Sequence, residues 1–94
     1  MRENRVASAL RASRPVVSGW LTVGHPLLAE AMAHAGYDAV TVDLQHGAVS
    51  DAELVSVLQA LSTTDVTPLV RVAWNDPARL MKALDLGAYG VIVP

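Results

Sequence analysis

The sequence predicts an α/β fold with parallel strands, the N-terminal half of a TIM (β/α)8 barrel. Strand-like and helix-like segments alternate along the 94 residues, which is typical of a parallel sheet with right-handed crossovers. Large or polar side chains recur where the predicted strands end. Doubly wound sheets share the alternation, but about four β/α units in this length correspond to nearly half of a barrel of roughly 250 residues.

The strands are predicted from short runs rich in β-branched residues. Alternation in the second run places Val40 and Val42 on the helix side of the sheet, and Thr41 and Asp43 on the opposite side. The fourth run ends with the sequence, so residues 1–94 are predicted to be a partial barrel domain truncated after that strand. The four runs are Val16 to Leu21, Asp38 to Asp43, Thr67 to Ala73 and Tyr89 to Pro94.

Start and stop signals predict two of the helices. Gly24, His25 and Pro26 form a turn that opens a helix running to about Ala35, with Gly36 as a left-handed cap.

The next helix, from about Ala52 to Leu61, begins at Ser50 and Glu53, which have the spacing of a capping box.

The first and last helices are predicted on similar grounds. Val6 and Leu10 lie four residues apart in the N-terminal segment, which indicates an amphipathic helix. Asp76 followed by Pro77 is a cap and a first-turn proline. Gly87 marks the end of that last helix.

Composition narrows the function classes. The net charge is −2 with seven Lys and Arg residues, so neither nucleic acid nor an anionic membrane surface is favoured as a partner. No apolar run approaches the roughly 20 residues that span a bilayer. The chain has no cysteine, which excludes disulfides and thiolate sites and fits a cytoplasmic protein.

Candidate site residues gather where the predicted strands end. In a parallel barrel those ends meet at one rim, where catalytic groups lie. Trp20, Asp43, His46, Arg71 and Pro94 would meet there. Arg71 is a charged residue inside a strand and needs a partner or a ligand, and its guanidinium fits a carboxylate or an enolate oxygen. Asp43 is close enough in sequence to orient the ring of His46, while Trp20 is either core or pocket wall.

Other polar residues have simpler interpretations. His25 begins a helix and is expected to cap it or face solvent. His34 lies near a helix C-terminus, where a cation is mildly favourable. Asp85, near the end of the last helix, is a solvated surface carboxylate unless a neighbouring subunit approaches it.

Three stretches of the sequence carry a family resemblance. They are Gly19 to Leu21, Val42 to Gly47 (VDLQHG) and Val70 to Pro77 (VRVAWNDP). Together they resemble the HpcH/HpaI family of metal-dependent aldolases, and the resemblance covers the whole chain. The Arg-x-x-Trp-Asn-Asp-Pro run is the most specific of these motifs, and Gly-x-Trp is weak alone.

The resemblance implies a carbon-carbon lyase on a TIM barrel. The implied reaction is reversible aldol cleavage of a 4-hydroxy-2-oxo acid to pyruvate, or a close 2-oxo acid, and an aldehyde. A divalent ion, usually magnesium, manganese or cobalt, would stabilise the enolate as a Lewis acid. The implied partners are these small molecules and further copies of the chain, since the family tends to form hexamers.

The resemblance also implies residue roles. His46 matches the base, which acts through a metal-bound water, and Arg71 matches the arginine at the oxo group and enolate oxygen. Asp43 matches an aspartate beside the base, and Trp20 matches a pocket wall. Asp85 matches a carboxylate connected to the base's hydrogen bonds across a subunit contact.

Two departures from the family pattern matter. Gln45 stands where many members have glutamate, which points to a subgroup with its own substrate preference. The family's two metal-binding carboxylates come from later strands, and no residue here matches them. We therefore expect this chain alone neither to bind the metal tightly nor to catalyse. Two alternatives remain, a non-catalytic truncated fragment and a barrel lyase acting on acyl-CoA esters.

Overall fold

The computed structural model describes residues 2–94, in which four helices alternate with four strands. Within that range no helix is long and apolar enough to cross a membrane. The elements in chain order are α1 Arg5–Arg11, β1 Ser18–Leu21, α2 Pro26–Ala33, β2 Ala39–Asp43, α3 Asp51–Leu61, β3 Thr67–Arg71, α4 Pro77–Asp85 and β4 Gly90–Ile92.

The strands form a parallel sheet in the order β1-β2-β3-β4. Consecutive strands are neighbours, and a helix connects each pair. This topology confirms the predicted β/α alternation. In the sheet Trp20 pairs with Thr41, Asp43 with Arg71, and Arg71 with Ile92. The C-terminal ends of all four strands therefore lie at the same end of the sheet, which we call the rim.

The hydrophobic core lies between the sheet and the helices. Val40, Val42 and Val70 are completely buried there, and they pack with residues of α2, α3 and α4. The alternation predicted for the strands is therefore confirmed. The opposite side of the sheet, which we call the inner face, carries Ser18 and Thr41, whose hydroxyl oxygens are hydrogen-bonded at 2.9 Å.

The predicted helix-capping residues are present. Ser50 Oγ accepts from the Glu53 N–H, and the Glu53 carboxylate accepts from the Ser50 N–H, which completes the capping box. Asp76 caps α4 through the Ala78 N–H. Gly36 and Gly87 have φ angles of 96° and 117°, a region that favours glycine, so both adopt the left-handed conformation predicted for them.

Several elements are shorter than predicted. α2 ends at Ala33 with His34 as its C-cap, and not at Ala35. β3 ends at Arg71, and β4 covers Gly90–Ile92 where Tyr89 to Pro94 was expected. A strand is defined by its ladder partners, and within residues 2–94 β4 pairs with β3 alone. The composition of a β-rich run does not show where such pairing stops.

Helix α1 is confirmed, but its buried face differs from the prediction. Ala9 is buried, while Leu10 is 62% exposed. The segment before α1 contacts the start of β4, because Asn4 Nδ2 donates to the Tyr89 carbonyl oxygen at 3.1 Å. This contact lies at the end of the sheet opposite the rim.

Candidate active site

Asp43 and Arg71 form an ion pair at the rim. They are register partners at the last positions of β2 and β3. Arg71 Nε donates to Asp43 Oδ1 at 3.0 Å and Nη2 donates to Oδ2 at 2.5 Å. The Asp43 side chain is 2% exposed and that of Arg71 is 23% exposed. Asp43 is therefore the partner that the charged Arg71 required.

Three further N–H groups converge on the same carboxylate. The backbone N–H groups of Gln45 and His46 donate to Asp43 Oδ1 at 3.0 and 3.1 Å. The indole Nε1 of Trp20 donates to Oδ2 at 3.1 Å. Five N–H bonds to two oxygens favour a fixed, ionised carboxylate.

The electrostatics of the pair agree with this geometry. The Arg71 guanidinium holds the pKa of Asp43 well below its usual range, and the three other donors act in the same direction against the opposing effect of burial. In return, hydrogen bonding to Asp43 raises the pKa of Arg71. Asp43 is thus an anion throughout the physiological pH range and is unsuited to carrying a proton.

Trp20 completes the cluster from β1. Its ring lies over the guanidinium of Arg71, with 5.2 Å between Cζ and the ring centroid. This is the geometry of a cation–π contact. The residue is 43% exposed, so part of the indole faces open space at the rim. Trp20, Asp43 and Arg71 therefore form one contact group drawn from three neighbouring strands.

His46 lies in the turn that follows β2, and its side chain is exposed. Asp43 was expected to orient the His46 ring, but its carboxylate accepts from the His46 backbone N–H instead. In the part of the chain that the structure describes, the imidazole makes no hydrogen bond. Asp43 has no oxygen free for the ring because both are occupied by the donors described above. The carboxylate fixes the position of His46 through its backbone.

The turn that carries His46 is attached to the segment after β1. Val23 and Ala48 form an isolated parallel β-bridge. The Ala48 N–H donates to the Thr22 carbonyl oxygen at 2.6 Å, and the Gly24 N–H donates to the Ala48 carbonyl oxygen at 3.0 Å. Sequence analysis missed this attachment, because backbone pairing between two short loops leaves no pattern in residue type.

Gly47 makes the turn possible, and we expect Gly47→Ala to destabilise the protein. A Cβ at this position would overlap the Asp43 carbonyl oxygen and lie 3.2 Å from Thr22 Cα. Both are backbone atoms that cannot easily yield, so we expect a loss of about 1–3 kcal/mol in the free energy of unfolding, measured by urea titration. In the control Gly90→Ala, the new Cβ meets only the tip of Leu69, at 3.0 Å. Equal midpoints for the two variants would contradict this account.

The structure does not bring Gln45 and Asp85 into the contact group through their side chains. Gln45 contributes its backbone N–H only, and its half-buried side chain makes no hydrogen bond within residues 2–94. Asp85 is exposed at the end of α4. Because α4 leads from the rim back to the start of β4, Asp85 lies at the opposite end of the sheet from His46.

The two other histidines have structural positions. His25 is the N-cap of α2, and its Nδ1 accepts from the Leu27 N–H at 3.1 Å. The prediction that it caps a helix is confirmed. His34 is the exposed C-cap of the same helix.

The described residues do not form a metal site. Among residues 2–94, no group of three or more His, Asp or Glu side chains is arranged to hold an ion. Asp43, the carboxylate nearest His46 in sequence at the rim, already accepts from five donors. A divalent cation requires several fixed oxygen ligands, so the donor set present here does not fit one.

Comparison with known proteins identifies the family. The model of the HpcH/HpaI aldolase/citrate lyase family matches residues 17–94. The chain belongs to this family. The HpcH/HpaI chain is 41% identical over 91 residues to a hydroxypyruvate/pyruvate aldolase of Rhizorhabdus wittichii, covering 97% of this chain and 36% of that protein. It is 35% identical over 92 residues to a 4-hydroxy-2-oxo-heptane-1,7-dioate aldolase of Escherichia coli, covering 98% of this chain and 35% of the relative.

Comparison with solved structures agrees with this assignment. An aldolase/citrate lyase family protein from Burkholderia cenocepacia matches with a TM-score of 0.90 and 34% identity, over 98% of this chain and 37% of that one. A citrate synthase matches with a TM-score of 0.87 and 32% identity, over 98% of this chain and 38% of the citrate synthase. The chain thus spans little more than a third of these relatives, and its β/α units are those of the N-terminal half of a TIM barrel. The predicted family and fold class are confirmed.

Proposed function

We propose that this chain is the first four β/α units of a longer barrel that catalyses reversible aldol cleavage of a 4-hydroxy-2-oxo acid. The products would be pyruvate, or a related 2-oxo acid, and an aldehyde. The observation that carries the proposal is the position of Arg71, whose guanidinium is held by Asp43 at the rim near the turn of His46. The relatives named as aldolases support the reaction class.

Arg71 is suited to binding the 2-oxo acid. A guanidinium has five N–H bonds, and two of those in Arg71 are used by Asp43. Within residues 2–94 the other three, on Nη1 and Nη2, have no acceptor. Two parallel N–H bonds on one edge fit two coplanar oxygen atoms. They would stabilise the negative charge that develops on the oxo oxygen as the enolate forms.

His46 is suited to moving the proton. Imidazole can both accept and donate a proton near neutral pH. In the cleavage direction, His46 would accept the proton of the 4-hydroxyl group. The C3–C4 bond then breaks, the aldehyde leaves, and the bonding electrons form the enolate of the 2-oxo acid. Protonation of the enolate at C3 gives the 2-oxo acid, and all atoms and electrons of the substrate are then accounted for.

The metal implied by the resemblance would need ligands from outside residues 2–94. A divalent ion such as magnesium, manganese or cobalt supplies Lewis-acid stabilisation of an enolate when bound. Neither the fully occupied carboxylate of Asp43 nor the exposed ring of His46 makes a site for it here.

A calorimetric titration tests this conclusion. We expect manganese added to the 94-residue chain to give no binding isotherm in the micromolar range, because one engaged carboxylate is a poor divalent site. The same sample should show no release of pyruvate from a 4-hydroxy-2-oxo acid. Micromolar binding accompanied by turnover would show that the described residues already contain the metal site.

Asp85 is proposed to act in an oligomer. It is exposed together with Met81 and Leu84, which lie four residues and one residue earlier on α4. Exposed apolar side chains beside a carboxylate suit a contact with another copy of the chain, such as the hexamer that the resemblance implies.

Gln45, which is half-buried next to the proposed base, is proposed to influence the choice of substrate. The lack of cysteine favours a location in the cytoplasm.

A hybrid enzyme tests the proposed function. Residues 1–94 would replace the matched region of the Escherichia coli 4-hydroxy-2-oxo-heptane-1,7-dioate aldolase, and pyruvate release would be measured with manganese present. We expect turnover of the 4-hydroxy-2-oxo acid by the hybrid. A folded hybrid, checked by circular dichroism and gel filtration, that releases no pyruvate would contradict the proposal.

A smaller graft covers the case in which the hybrid does not fold. Here Val42 to Gly47, the segment that carries both Asp43 and His46, would replace the matched segment of the same relative. Retained turnover would show that this segment supports the reaction. Loss of turnover in a folded graft would contradict the proposal that this segment supports the reaction.

A further inference from the structure

We infer that Trp20 is a positioning residue for Arg71, which holds the guanidinium and its carboxylate partner in one fixed arrangement. The effect of Trp20 on catalysis rests on the proposed function, whereas its role in holding Arg71 and Asp43 in place does not. Trp20 contacts both members of the ion pair. The indole Nε1 donates to Asp43 Oδ2, and the ring lies over Arg71 Cζ.

The indole N–H restrains the carboxylate. Asp43 Oδ2 accepts from both Trp20 Nε1 and Arg71 Nη2, while Oδ1 accepts from Arg71 Nε and from two backbone N–H groups. Donors from three different strands or turns therefore define the plane of the carboxylate. Without the indole donor, Oδ2 would keep one charged partner and could follow it when the arginine moves.

The indole ring restrains the guanidinium. Asp43 holds the Nε and Nη2 edge of Arg71, but an ion pair along one edge still allows the planar group to tilt. Arg71 Cζ lies over the Trp20 ring, 5.2 Å from its centroid, and this cation–π contact limits the tilt. The edge formed by Nη1 and Nη2 is then left for a ligand that approaches in the guanidinium plane.

The chemical requirements explain why the residue is tryptophan. An aromatic face and an N–H donor at the ring edge are both used, and phenylalanine supplies only the first of these. A side chain that served only as a pocket wall would need neither. If Trp20 were merely a wall, its replacement would change the affinity for substrate and leave the arginine unaffected.

Side-chain NMR of the protein separates the two roles. The observable is hydrogen exchange of the Arg71 Nε–H in the wild type, in Trp20→Phe and in Trp20→Leu. We expect about tenfold faster exchange in Trp20→Phe, which keeps the ring and loses a hydrogen bond to a charged group. Trp20→Leu should be faster again by about threefold, because the cation–π contact is also lost. Trp74→Phe, at a tryptophan that is 67% exposed, is the matched control and should not change the rate.

Unchanged Arg71 exchange in both Trp20 variants would overturn the inference. If Trp20→Leu does not fold, the inference is tested by Trp20→Phe together with a reverse measurement, in which Asp43 is replaced and the Trp20 indole is observed. In the reverse measurement, Asp43→Asn should accelerate exchange of the Trp20 indole N–H, and an unchanged rate there would equally overturn the inference. These readouts need no turnover, so they stand apart from the proposed function.

Kinetics of the hybrid enzyme test the catalytic consequence. We expect Trp20→Phe to lower kcat about tenfold with little change in the KM for the 4-hydroxy-2-oxo acid, since a positioning defect affects the reacting geometry. A raised KM with unchanged kcat would indicate a wall and overturn the inference. An inactive wild-type hybrid with accelerated exchange in the NMR variants would refute the proposed function and support the positioning role.

Discussion

Replacement of Arg71 by lysine in the hybrid enzyme is expected to lower kcat/KM for aldol cleavage by about a hundred- to a thousandfold. Arg71 uses two N–H bonds for Asp43, and in the proposed function its other N–H bonds bind the substrate. Lysine is a compact point charge without the planar fork, so it cannot serve the carboxylate along one edge and two substrate oxygens along another. Steady-state assay of pyruvate release gives the measurement.

Arg79 provides the matched control. Its Nη1 lies 3.3 Å from Asp51 Oδ2 in an exposed ion pair at the surface. Exposed pairs contribute little, so Arg79→Lys should leave kcat/KM unchanged within about twofold. Comparable losses in the two variants would mean that the effect is one of general stability and would remove Arg71 from the proposed site.

Asp43→Asn is expected to have the largest effect on stability. The variant leaves the partly buried Arg71 without its counter-charge and presents an amide N–H₂ group to donors. Removing one partner of a buried pair typically lowers the free energy of unfolding by about 3–5 kcal/mol. Since Arg71 retains some contact with solvent, we expect about 3 kcal/mol at pH 7, measured by urea titration.

The sign of the pH dependence follows from the depressed pKa of Asp43. In the unfolded chain an aspartate has its ordinary pKa of about 3.9. The stabilisation is therefore complete above that pH and is lost as the pH falls from it toward the lower folded-state pKa. The difference between wild type and Asp43→Asn should be constant from about pH 5 to 8 and should shrink below about pH 4.

The control for this prediction is Asp51→Asn at an exposed position. Its effect on unfolding should be within about 0.5–1 kcal/mol, as for surface pairs. A difference between wild type and Asp43→Asn that grew as the solution became more acidic would contradict the assignment of an ionised Asp43.

Most of the fold could be predicted because local signals and long-range pairing agree. Gly36 and Gly87 mark helix ends where the chain adopts positive φ angles, and Ser50 with Glu53 marks a helix start. Alternation in β2 gave the correct side for Val42. The boundaries of α2 and β4 were less accurate, because frayed helix turns and unpaired strand residues have the same composition as the paired ones.

The site was predicted in outline and not in its contacts. A charged Arg71 in a strand implied a partner, and Asp43 at the end of the preceding strand was available. The register that joins them cannot be read from either strand alone. The expected contact between Asp43 and the His46 ring was wrong in detail, because sequence distance does not reveal that backbone N–H groups and the Trp20 indole also compete for the carboxylate.

The backbone bridge between Val23 and Ala48 bears on how His46, the proposed proton carrier, can move. The turn after β2 is held on one side by that bridge and on the other by Asp43, so the main chain of His46 is restrained at two points. The exposed imidazole can still rotate about its two side-chain torsions. In the proposed function, proton delivery by His46 would then need only rotamer exchange, which takes nanoseconds or less for an exposed side chain, without opening or closing of the turn.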